Sequence, residues 1–226
     1  MAQFTHCQRP VYKNLDAEII NNRRWYTVRE NVKYPSVTTI LGHGEKLWLQ
    51  EWRDSLGHEA ADIESARCST RGENVHLMCE RYLKNEQAPT REQMGCDIRI
   101  FNQLRPILHR INNIRAQEIP LFSDEYKLAG RVDVVAEYEG ELAIIDFKTS
   151  NNNKPTSMVN DYFLQSTGYA LMYNEMFHIP ITNIVIIIGV ERGMAPMVYK
   201  KTIGDYIQPL ADRINTFYDD LEKEQQ

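Results

Sequence analysis

Apolar and polar residues alternate from Arg131 to Tyr138 and again from Glu141 to Lys148, on either side of Glu139-Gly140, a pattern that predicts a β-hairpin. With a two-residue loop, Tyr138 stands opposite Glu141, and the register carried onward sets Asp133 opposite Asp146. A bulged turn would slip that pairing by one residue.

The remaining periodicities supply elements around this hairpin. Ser36 is positioned to cap a short helix over V-T-T-I-L, with Gly42 and Gly44 ending it. Leu47, Trp48, Leu49, Trp52 and Leu56 give Lys46 to Leu56 an apolar helical face. Helices are predicted over Ala60 to Ser69 and, led in by R-G-E-N at Arg71 to Asn74, on to Leu83. Arg91 to Ile114 reads as an amphipathic helix that Pro106 kinks or splits. Ala116 to Phe122 gives a first sheet strand, Asp161 to Met176 a helix, and Asn183 to Val190 a continuous apolar strand suited to the middle of a sheet. Met197 to Ile203 adds an edge strand and Gly204 to Glu224 a closing amphipathic helix. Residues 1–31 show no clear periodicity beyond a short strand at Trp25 to Val28. The order implies an α/β fold with a mixed central sheet flanked by helices, preceded by a helical extension over residues 1–70 and forming a core over 71–226.

Composition changes this picture little. The chain has 226 residues, 42% of them hydrophobic, enough for one substantial core. A net charge of −5 argues against coating nucleic acid through bulk charge, yet Arg23-Arg24, the group Arg105, Arg110 and Arg115, and Lys200-Lys201 leave room for a local phosphate track. Cys7, Cys68, Cys79 and Cys96 show no paired framework, the N-terminus lacks an apolar signal core, and the apolar run Ile184 to Val190 is too short to span a bilayer. The expectation is a cytoplasmic protein without a membrane partner.

The hairpin register carries the chemistry. Directly opposed residues have Cβ atoms about 4.5–5.5 Å apart, so Asp133 and Asp146 would repel unless a divalent cation sits between them. Lys148 shares a face with Asp146 by alternation, while Phe147 points into apolar packing. Read as plain structure, the same residues form a salt bridge on a solvated face. Gln165, Tyr169 and Tyr173 fall on one helical stripe, and Lys154 lies in the polar loop Ser150 to Ser157, where it could meet a phosphate.

G-R-V-D followed by a turn and I-I-D-F-K-T-S resembles the core of the PD-(D/E)XK nuclease superfamily, in its RecB-like branch, and within it the phage and mitochondrial genome maintenance exonucleases. The resemblance covers roughly Arg71 to Met176, with an echo at Y-P-S-V-T-T-I-L. It implies a restriction-endonuclease-like core of order αβββαβ. It implies that His76, in R-G-E-N-V-H, completes a Mg²⁺ or Mn²⁺ site with Asp133, Asp146 and the Phe147 carbonyl, with Lys148 as catalytic lysine. It assigns supporting or DNA-binding roles to Glu118, Arg131, Lys154 and the Q-x-x-x-Y pair Gln165 and Tyr169. The implied activity is a metal-dependent DNA exonuclease of replication, recombination or repair, phage-type in character. It would admit single-stranded DNA from an end beneath a helical passage, with Trp48, Trp52, Tyr162 and Tyr169 available to stack on bases. Some relatives hold an iron–sulfur cluster with three cysteines after the core; no cysteine follows Cys96, so none is expected. Two rivals remain: a catalytically silent nucleic-acid-binding or recombination scaffold on the same fold, and a Schiff-base enzyme using Lys148, which neighbouring carboxylates disfavour by keeping the amine protonated.

Overall fold

The computed structural model describes residues 3–44, 47–88, 93–193 and 195–224. Lys46, Arg91 and the side chain of Trp48 lie outside the described residues.

A five-stranded sheet forms the centre, built from β4 (Ile111–Ser123), β5 (Leu128–Tyr138), β6 (Glu141–Ser150), β7 (Asn183–Val190) and β8 (Met197–Thr202), lying side by side in that order. All neighbours are antiparallel except β6 and β7, which run parallel because helix α5 (Asn160–Phe177) carries the chain back across the sheet. The β5–β6 hairpin has the expected register. Tyr138 pairs Glu141 and the ladder continues to Val134 opposite Ile145, with Glu139 and Gly140 both at positive φ, as a two-residue turn that follows strand twist requires.

Helices cover both faces. Helices α3 (His58–Leu83) and α4 (Gly95–Leu108) bury Val75, Met78, Ile100 and Leu104 against Ile145, Phe147, Val185 and Ile187. On the other face, α1 (Val37–Gly42), α5 and α6 (Ile207–Glu224) bury Ile40, Phe163, Tyr173 and Phe217 with Ile144, Ile186 and Ile188. Gly189 permits the first of these layers to close, since a Cβ there would collide with Ile100 Cγ2.

Three sequence expectations need correction. Residues 16–35, expected in a helical extension, form a three-stranded antiparallel sheet of β1 (Asp16–Ile20), β2 (Arg23–Arg29) and β3 (Val32–Pro35). Its cause is turn chemistry: Asn21, Asn22 and Asn31 take positive φ, and Tyr26 and Val28 bury beside Leu15 and Ala129. Helix α2 (Leu47–Leu56) follows as expected, but the two helices expected around residue 70 are the single α3, which runs through the 70/71 boundary. Gly72 does not break it, because buried Arg71 is fastened on one side and the helix packs over Thr149. Lastly, the helix expected to reach Ile114 stops at Leu108, two residues after Pro106, and Ile111 already pairs Tyr138 in the sheet. Ile111 and Ile114 are both buried three residues apart, a spacing that imitated helical period.

Candidate active site

Three carboxylates lie abreast on neighbouring strands. Gln117 pairs Val134 and Ile119 pairs Val132, so Glu118 stands across from Asp133 on the β4–β5 side. One rung beyond Val134–Ile145 on the other side stands Asp146. The regular β5–β6 ladder ends there because Asp133 Oδ2 takes the Phe147 amide at 2.8 Å in place of a backbone carbonyl. Glu118 departs from strand geometry, with φ +51, and Arg131 Nη1 donates to its carbonyl oxygen to hold the kink.

His76 reaches this row from α3. Its Nδ1 is 3.4 Å from Asp133 Oδ2, and its ring meets Phe147 edge-on at 6.1 Å between centroids. One ligand atom from each of His76, Glu118 and Asp133 lies within 4.8 Å of the other two. These residues line a cleft of about 460 Å³ together with Arg24, Gly72, Glu73, Leu77, Glu80 and Arg131.

Asp146 sits behind them, with its side chain 0% exposed. Neither carboxylate oxygen has a donor in hydrogen-bond geometry, although Lys148 Nζ is 2.6 Å from Oδ2 as an ion pair. Burial, and after it the charge of Asp133, push Asp146 up to about 6 in spite of Lys148. Burial, then Asp133 and Glu80, push Glu118 up to about 8. Burial opposes the Lys148 ammonium, but Asp146 and Asp133 outweigh it and hold its pKa above the ordinary value. The cluster is therefore short of positive charge, with buried acceptor oxygens left over. Imidazole and carboxylate donors in that state fit a hard divalent cation, with Mn²⁺ tolerating the imidazole best.

The remaining sequence candidates fall around this core. Lys148 and Lys154 each lie 5.3 Å from the centre of the Tyr162 ring, and Lys154 Nζ also donates to the Tyr162 hydroxyl at 2.9 Å. Gln165 Nε2 donates to the Tyr169 hydroxyl at 2.9 Å. Tyr169 lies against Gly130, where a Cβ would come 2.7 Å from its ring, and burial followed by the charges of Asp146 and Asp133 raises its pKa. The Phe147 N–H turns toward β5, and since the N–H and C=O of one strand residue share an edge, its carbonyl turns to that side too. Trp52 lines a second cleft, of about 560 Å³, with Leu49, Arg71, Asn151, Lys154 and Met158.

Sequence reasoning missed the network that seats α3. Arg67 binds Glu64 at 2.8 Å and Glu191 at 3.0 Å, Arg71 also binds Glu191 and Asn151, and Asn151 Nδ2 returns to Glu64 at 2.7 Å. It fastens the helix carrying His76 to the segments following β6 and β7. Arg67 and Arg71, one helical turn apart and N-terminal to His76, were the available signal.

A profile of the PD-(D/E)XK nuclease superfamily matches residues 44–180, a span that holds every residue of the carboxylate row, His76 and Lys148. The chain belongs to this superfamily. Its core is restriction-endonuclease-like, as the mixed sheet flanked by helices requires. Three curated proteins named mitochondrial genome maintenance exonuclease 1 are similar to it. The mouse protein is 28% identical over 129 residues, covering 54% of this chain and 38% of its own length. The Xenopus tropicalis protein is 25% identical over 176 residues, covering 72% and 50%, and the human protein 28% identical over 142 residues, covering 59% and 39%. The chain thus spans half or less of these relatives. A solved structure of a candidate exonuclease from Eubacterium rectale aligns at a TM-score of 0.36 with 14% identity, covering 77% of this chain and 66% of that one; at that score the likeness carries no argument.

Proposed function

We propose that the chain is a divalent-metal-dependent deoxyribonuclease acting as an exonuclease on single-stranded DNA. The observation that carries this reading is the fully buried Asp146 carboxylate, 2.6 Å from Lys148 and behind the group that His76, Glu118 and Asp133 form. Asp133, Asp146, His76 and Glu118, with the Phe147 carbonyl, are the residues that would hold Mg²⁺ or Mn²⁺. Such an ion supplies charge against the phosphodiester oxygens and a bound water of lowered pKa.

The chain's own groups account for the rest. Lys148 remains an ammonium, so the donors that Asp146 does not hold serve an attacking water or the charge developing on the phosphate, and it cannot itself ligate. Asp146 fixes that ammonium at 2.6 Å, and the Tyr162 ring faces it. The Asp133 carboxylate faces His76 and is pinned by the Phe147 amide. Gln165 orients the Tyr169 hydroxyl on the α5 side, within the field of Asp146 and Asp133.

Single-strand preference and end entry are supported by Trp52 in the cleft beside Lys154, by helix α2 and the first half of α3, which wall that cleft against residues 149–154, and by the exonuclease names of the curated relatives. The test compares linear and circular single-stranded DNA of one sequence with blunt duplex. Efficient cutting of the circle excludes end entry, and preference for the duplex excludes the single-strand assignment.

Among the described residues no helix is long and apolar enough to cross a membrane. A cytoplasmic setting, host cytoplasm for a phage-encoded protein, remains part of the proposal.

A further inference from the structure

The N-terminal sheet puts one arginine at the mouth of the candidate site. Arg24, on β2, lines the cleft that holds His76, Glu118 and Asp133. It also lines an adjoining cleft of about 500 Å³ walled by Asn21, Asn22, Thr38, Thr39 and His43. Arg24 is the residue these two clefts share.

Its neighbours use their charges differently. Arg23 is taken by Glu224 in a two-pronged pair at 2.6 and 2.7 Å, and Arg131 is spent on the Glu118 carbonyl and Asn14. The exposed Arg24 guanidinium has no hydrogen bond or ion pair among the described residues, although Glu73, Glu80, Glu118 and Asp133 line the same cleft. Its backbone, by contrast, is fixed. Thr39 Oγ1 accepts from the Arg24 amide at 3.0 Å and donates to its carbonyl at 3.3 Å, and the Ser36 amide donates to that carbonyl at 2.8 Å. Ser36 Oγ in turn donates to Thr39 Oγ1 at 2.8 Å and accepts from the Thr39 amide at 3.0 Å. Y-P-S-V-T-T-I-L, which the sequence predicts as a Ser36-capped helix, is also the mount for this arginine.

We infer that Arg24 binds a backbone phosphate of the nucleic-acid strand next to the one being cleaved, and that the cleft between the Asn21-Asn22 turn and Thr38-Thr39 carries the strand onward. An unpaired fork-shaped cation on a hydrogen-bonded seat, at the junction of an acidic reaction cleft and a polar one that Arg23 also lines, is suited to a phosphodiester. This inference rests on the nuclease reading above.

The test measures cleavage of end-labelled single-stranded DNA by wild type, Arg24→Ala, Arg24→Lys and Arg29→Ala over a range of salt. Oligonucleotide binding is followed in parallel by anisotropy in a Lys148→Ala background. Arg24→Ala is expected to raise KM about tenfold with kcat within about twofold, and to flatten the slope of log Kd against log salt by about 0.7, one single-strand phosphate contact. Arg24→Lys should restore part of the KM, and Arg29→Ala, which loses an arginine of the same strand that pairs with Asp124 and lines neither cleft, should match wild type. An unchanged KM and salt slope in Arg24→Ala, or an equal loss in Arg29→Ala, would overturn the subsite while leaving an active wild-type nuclease. A wild type that neither binds nor cuts DNA would instead overturn the nuclease reading.

Discussion

Glu118 faces Asp133 across the β4–β5 ladder with its backbone in the left-handed region, at φ +51. For a non-glycine residue that conformation costs on the order of 1–3 kcal/mol, and here Arg131 secures it from the next strand. Strain spent to aim one carboxylate at another makes sense when a cation joins them.

Glu118→Gln should therefore weaken Mn²⁺ binding by about 10–100-fold, the range seen when a group supporting a metal site is lost. Calorimetry on the purified protein measures it, and an affinity equal to wild type would remove Glu118 from the site. Arg131→Ala should show a smaller loss of the same sign, because it releases the kink and keeps the carboxylate.

Lys148→Ala is expected to abolish cleavage while Mn²⁺ affinity stays near wild type, since a protonated amine cannot be a ligand. Collapse of metal binding in this variant would mean that the 2.6 Å contact with Asp146 organises the metal site itself.

How much of this was legible in the sequence depends on the range of the interaction. The hairpin register was, because alternation and a Glu-Gly turn are local, and with it came the burial of Phe147 in apolar packing, although the regular ladder stops at Val134 and Ile145, one rung short of Asp133 and Asp146. Glu118 was visible only as an acid on a strand. Its place opposite Asp133 depends on the β4–β5 register, which breaks between Asn112 and Ala116 and has no tight-turn signal to announce it. Likewise Glu191 lies 120 residues from Arg71, and nothing local to either announces their bond. The N-terminal sheet was missed for a different reason. Asn21-Asn22 was a local turn signal, but β1 is exposed along its whole length and offers no alternation to read.

Gly130→Ala should destabilise the fold by about 1–3 kcal/mol, the usual cost of forcing added volume into a packed core, because the new methyl would lie 2.7 Å from the Tyr169 ring. Urea unfolding measures this, and activity should fall with it as Tyr169 shifts from the carboxylates. A fully stable variant with full activity would show that the ring has room to move.

Acid should loosen the seat of α3. The Arg67 hydrogen bonds, working against burial, hold Glu64 down to about 2 from an ordinary 4.5. A depressed carboxylate gives stability that is complete above its unfolded value and is lost as pH falls toward its folded one. The melting-temperature gap between wild type and Glu64→Gln should thus be widest near neutrality and close between about pH 4.5 and 2. A gap independent of pH across that window would show that Glu64 contributes through shape and not through charge.

The buried carboxylate of Asp146, 2.6 Å from Lys148, is proposed to hold a cation for phosphodiester hydrolysis. The most direct measurement is release of labelled nucleotides from linear single-stranded DNA by wild type and Asp146→Ala, each with Mg²⁺, Mn²⁺ or EDTA. Wild type should cut with either metal and stop in EDTA, and Asp146→Ala should lose at least the roughly 10²–10³-fold typical of one preorganised electrostatic contact. Cleavage by wild type that survives thorough chelation, or by Asp146→Ala at the wild-type rate, would contradict it.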